Sequence, residues 1–164
     1  GTATTLKTDS SQMERVIVGG STKEEYEAAL PELEKAAAAA PDDLTAHQNL
    51  AIAQYNTGRL EEAPTTYQKM LQLKDDAFTR NNYGNVLRDL KRLDEAKAEY
   101  EKAISMDPSQ ANTWVNLAAV LISLDDGAEA LAVLDRGIAT VTGDDKTRLE
   151  RFKDQLTGQA TTTT

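Results

Sequence analysis

Tyr83-Gly84-Asn85-Val86-Leu87, then Leu93-Asp94-Glu95-Ala96-Lys97-Ala98-Glu99-Tyr100-Glu101-Lys102-Ala103, then Asp107-Pro108 is the stretch that decides the fold. Small and apolar residues recur at helical spacing in two runs, with a break at Leu90-Lys91 and a stop at the proline. The pattern has echoes on both sides. Asn49-Leu50-Ala51, Asn82-Tyr83-Gly84 and Asn116-Leu117-Ala118 lie 33 and 34 residues apart. A small residue follows twelve positions on (Ala63, Ala96, Ala130), and a bulky one four further (Tyr67, Tyr100, Leu134). A period of this length implies a solenoid, in which each helix pair buries its apolar face against its neighbours. Stacked repeats build an extended surface rather than a catalytic pocket.

Three units follow: 44–76, 77–110 and 111–144. The expected helices lie near 44–57, 60–73, 77–90, 93–106, 111–124 and 127–141. Extended backwards, the register puts Pro41 where Pro108 falls, so residues 10–43 form a degenerate fourth unit. Its second helix is expected near 22–39, started by a capping box from Ser21 or Thr22 to Glu24 or Glu25. Pro31 inside it predicts a kink or a late start. Residues 145–156 form a last helix whose stripe of Leu149, Phe152 and Leu156 suits a cap. The repeat domain is expected over 21–157, with a flexible or degenerate segment at 1–20 and a disordered Thr-rich tail at 158–164.

The 164 residues carry a net charge of -9, which argues against nucleic acid and against an anionic membrane surface as partners. No apolar run reaches the length of a membrane span, so no direct membrane insertion of this segment is expected. Without cysteine there is no disulfide or thiolate metal site. No metal site, cofactor or enzyme motif is expected; the one histidine, His47, occupies the slot that Trp114 holds later and reads as a packing residue. The acidic pairs Asp42-Asp43, Asp75-Asp76, Asp125-Asp126 and Asp144-Asp145 read as helix caps. The chain starts at Gly1, as a fragment would, and leaves localisation open: cytoplasmic or, with an upstream signal or anchor, extracytoplasmic.

The repeat resembles the tetratricopeptide repeat. Unit 77–110 matches that pattern at Tyr83, Gly84, Leu87, Leu93, Ala96, Tyr100, Ala103 and Pro108. Unit 111–144 matches at Trp114, Leu117, Ala118, Leu121, Ala130 and Leu134, with Gly137 at the late alanine. Unit 44–76 matches at Leu50, Ala51, Gly58, Leu60, Ala63 and Tyr67 and departs at Gln54, Met70 and Asp75. The resemblance implies an all-α, right-handed superhelix of antiparallel helix pairs, with the first helix of each pair on a concave face. It also implies a non-catalytic scaffold that binds a peptide or protein segment in that groove.

The implied groove residues are Asn49, Ile52, Tyr55, Phe78, Asn81, Asn82, Asn85, Arg88, Asn112, Val115, Asn116 and Ile122. Family members that clamp acidic chaperone tails need Lys and Arg at set groove positions; the corresponding residues here are Gln48, Ile52, Asn82, Asn112 and Asn116, of which only Asn82 fits that pattern. Asn49, Asn82 and Asn116 form a ladder similar to that of O-linked N-acetylglucosamine transferase, where amides grip a peptide backbone. Two readings of the ladder stay open, backbone binding and packing within the repeat. An alternative function is self-association into a homo-oligomer, the groove being filled by Val16-Ile17-Val18. Another is an accessory domain of a larger protein.

Overall fold

The computed structural model describes residues 22–158, and every regular element among them is an α-helix. The expected tails, apart from Gly158, the half-unit 10–21 and the apolar patch at 13–18 lie outside the described residues. The chain divides into two compact units, 1–74 and 75–164.

The first unit holds α1 (Lys23–Ala39), α2 (Leu44–Asn56) and α3 (Ala63–Leu73). Thr22 and Glu25 close the capping box: Glu25 N–H donates to Thr22 Oγ1 at 3.2 Å, and Thr22 N–H donates to Glu25 Oε2 at 2.8 Å. With that start fixed, α1 runs through Pro31 and does not begin late. Tyr26, Leu30 and Leu33 of α1 pack with Leu50 and Ala53 of α2. α3 begins at Ala63, three residues after the expected start. Pro64 explains the difference, because a ring with no N–H fits only the first turn. The departure at Gln54 has its own answer: Thr66 Oγ1 donates to Gln54 Oε1 at 2.8 Å, a satisfied polar pair in an otherwise apolar layer.

The second unit holds α4 (Ala77–Asp89), α5 (Leu93–Met106), α6 (Ala111–Ser123), α7 (Gly127–Thr140) and α8 (Gly143–Thr157). Its core is built by Ala96, Tyr100, Ala130, Leu134 and Leu149, all fully buried. Gly84 lets α4 approach α5: a Cβ there would stand 2.5 Å from Tyr100 Cε1. α8 packs on α7 and α6 through Leu149. Asp43, Asp76 and Asp126 cap α2, α4 and α7, each accepting from backbone N–H groups of the first turn. Each first helix also ends alike. Gly58, Lys91 and Asp125 adopt φ of 78°, 64° and 62°. The next residue then donates back: Arg59 to Gln54 O at 2.8 Å, Arg92 to Leu87 O at 2.8 Å, Asp126 to Leu121 O at 2.9 Å. This left-handed closure turns the chain from one helix of a pair into the next.

Candidate functional site: an amide-lined cleft

Within the second unit, α4 and α6 present facing rows of asparagine. Asn81, Asn82 and Asn85 come from α4, Asn112 and Asn116 from α6. They line a cleft of about 600 Å³ with Phe78, the Ser109-Gln110-Ala111 turn, and Asp145 and Arg148 of α8. Phe78 is 64% exposed, the largest exposure among the big apolar side chains described. The turn is braced by Asp107, whose carboxylate accepts from Ser109 N–H, Ser109 Oγ and Gln110 Nε2 at 3.1, 2.6 and 2.8 Å. The Ser109 hydroxyl and then the Gln110 amide hold that carboxyl below the usual aspartate range. Asp145 and Arg148 neutralise each other at 3.0 Å.

The amides are cross-linked. Asn116 Nδ2 donates to Asn81 Oδ1 at 3.0 Å and to Asn85 Oδ1 at 3.1 Å. Tyr100, buried behind α4, donates its hydroxyl to Asn85 Oδ1 at 2.8 Å. Asn82 is half-buried and Asn112 exposed, and neither side chain bonds another described residue.

The family profile of the tetratricopeptide repeat matches residues 22–80 and 87–152. The chain belongs to the tetratricopeptide repeat family. Protein O-mannosyl-transferase TMTC3 of Homo sapiens is 35% identical over 106 residues, 62% of this chain. The Mus musculus protein is 34% identical over 101 residues, and the chain spans 11% of the length of each relative. Among solved structures, a MamA RS-1 double mutant matches at a TM-score of 0.74 and 17% identity, over 92% of this chain and 82% of that one. A crystal structure of MamA matches at 0.70 and 14%, over 94% and 98%. The TPR2B domain of yeast Sti1, solved in a complex with pHsp70, matches at 0.62 and 20%, over 71% and 98%. At these identities the likeness is one of fold: the all-α helix-pair repeat.

On this tetratricopeptide frame the implied groove residues separate. Phe78, Asn81, Asn82, Asn85, Asn112 and Asn116 come together in the cleft. Arg88 instead pairs with Asp89 at 3.0 Å, and Val115 is half-buried, while Ile122 is 40% exposed; none of the three lines the cleft. In the first unit Asn49 is buried and offers no open surface, Ile52 is half-buried and packs against the α1–α2 core, and Tyr55 is exposed. The ladder is therefore uneven. Asn49 is closed off, Asn116 is engaged internally, and Asn82 is the rung left open. The sequence reading gave α8 a capping role alone and missed Asp145 and Arg148. The signal is spacing: Asp145 lies four residues before buried Leu149, beside the packed face, and three before Arg148, within reach of a pair.

Proposed function

We propose that this chain is a non-catalytic interaction scaffold whose second unit holds an extended segment of a partner protein in the α4–α6 cleft. The observation that carries this reading is the lining: five asparagine amides beside an exposed phenylalanine, with ionic side chains only at one rim and paired to each other. Amides offer both donors and acceptors, which suits a peptide backbone, and Phe78 offers an apolar seat for a side chain. The fold fits a protein-interaction scaffold, and the Sti1 domain is a member of the same fold with a protein ligand. The ligand chemistry differs from that of an acidic tail, since a carboxylate entering beside Asn82, Asn112 and Asn116 would lose hydration and meet no cation among them. The transferase in the name of TMTC3 is a far longer chain, and we assign to the shared repeats a binding role.

The test is a peptide selected from a random displayed library on the wild-type protein. Asn82→Ala with Asn112→Ala removes two amides that make no hydrogen bond among the described residues, so the melting temperature should hold. The affinity should fall roughly five- to hundredfold for two lost hydrogen bonds. An unchanged affinity would place the binding surface elsewhere.

A further inference from the structure

We propose that Tyr100 sets the hydrogen-bonding polarity of the cleft, so that Asn81 and Asn85 read carbonyl groups of the ligand backbone while Asn116 reads its N–H groups. The inference rests on the peptide-binding reading above and adds to it which ligand atoms meet which amides.

An amide oxygen accepts two hydrogen bonds and an amide nitrogen donates two. Asn85 Oδ1 already accepts two, from Tyr100 and from Asn116, so Asn85 faces a ligand with its N–H groups alone. Both Nδ2 hydrogens of Asn116 are engaged, on Asn81 and on Asn85, so Asn116 faces a ligand only as an acceptor. Asn81 is 8% exposed overall but, unlike Asn49, lines the cleft; its Oδ1 accepts from Asn116, and its Nδ2 donates to no described residue. A flipped Asn85 would set its own NH2 against that of Asn116, leaving donor against donor. Tyr100 opposes the flip because its ring cannot retreat. The ring is fully buried and fills the space that Gly84 leaves. Tyr100 is thus a positioning residue, out of reach of any ligand.

The device is confined to one repeat. The equivalent slots pair Tyr67 with Ile52 and Leu134 with Ala119, neither of which provides an amide for the bulky residue to hold. A uniform ladder would grip a backbone of either polarity. One locked rung with donors on α4 and an acceptor on α6 favours one direction of the bound chain.

The test has two arms. In the free protein, the side-chain amide protons of Asn116 should exchange with solvent more slowly than those of Asn82 and Asn112; equal rates would overturn the fixed polarity. For binding, the probe is a peptide selected from a random displayed library on wild-type protein, titrated by calorimetry into wild type, Tyr100→Phe, Asn85→Ala and the double variant, each verified as folded. Tyr100→Phe should weaken binding roughly three- to tenfold, the value of one hydrogen bond. In the Asn85→Ala background it should weaken binding no further. Equal weakening in both backgrounds would mean that the hydroxyl acts by a route other than Asn85, and wild-type affinity in Tyr100→Phe would remove the role altogether; either overturns the inference while leaving the peptide reading intact. If no library peptide shifts the cleft amide resonances, the peptide reading fails and the inference falls with it.

Discussion

Trp114 donates its indole N–H to the carbonyl oxygen of Pro108 at 2.8 Å, tying the fourth residue of a repeat to the proline that ends the one before. His47 repeats the bond 67 residues earlier in the chain, its Nε2 lying 3.0 Å from Pro41 O, again six positions back. The histidine is thus held by packing and a backbone carbonyl, as its slot implied. Between them, Arg80 fills the same slot, and Asp75 stands where the proline would be. There a carboxylate replaces the carbonyl: Arg80 Nε and Nη2 reach Asp75 at 2.6 Å each, and Nη1 reaches Glu99 at 2.6 Å.

Trp114 also explains Gly137 in a slot where the family has alanine. A Cβ on Gly137 would sit 2.9 Å from Trp114 Cγ and 3.0 Å from Cδ2. Alanine gains about 1 kcal/mol of helix propensity over glycine, but the buried indole cannot swing aside. Gly137→Ala should therefore destabilise the protein by about 1–3 kcal/mol, the usual cost of overpacking, in urea unfolding. A more stable variant would mean that the indole yields.

The Arg80 cluster gives a pH prediction. The Arg80 hydrogen bond holds the Asp75 carboxyl below its ordinary 3.8. A carboxyl with a depressed folded value binds its proton more tightly in the unfolded chain, so stability rises with pH through that range. The contribution is complete above 3.8 and lost as pH falls through the lower folded value. Asp75→Asn should flatten the acid limb of a melting-temperature profile; a limb of unchanged slope would contradict the pairing. Glu99→Ala should cost about 1–3 kcal/mol, since it leaves one end of a largely buried guanidinium unpaired.

Lys91 holds φ of 64° where the first repeat has Gly58. A side chain there strains the backbone by roughly 1–2 kcal/mol, against about 0.5–1 kcal/mol of extra chain entropy that glycine loses on folding. Lys91→Gly should raise stability by roughly 0.5–1 kcal/mol in chemical denaturation. A loss would show that the Lys91 side chain contributes more than its backbone strain costs.

The repeat was legible because packing is periodic. Ala51, Ala63, Ala96, Ala118 and Ala130 are named by spacing alone and are all buried where helices meet. Pro64 shortened α3 by a rule that the apolar period does not contain. The six asparagine and phenylalanine positions of the cleft follow from register. Which amide hydrogens are engaged does not, because Asn116 lies 31 and 35 residues from its two acceptors and the outcome depends on side-chain rotation across two helices. The same holds for Tyr100, read as an aromatic filler and found with its hydroxyl on Asn85.

The central claim, that the α4–α6 cleft is the binding surface, is tested most directly by mapping a bound library-selected peptide with backbone amide, side-chain amide and aromatic NMR resonances. The account predicts the largest shifts at Phe78, Asn82 and Asn112, with small ones at Lys97 and Glu101 on α5 and at Asp135 on α7. Shifts concentrated on α5 and α7, with the cleft asparagines unmoved, would contradict it.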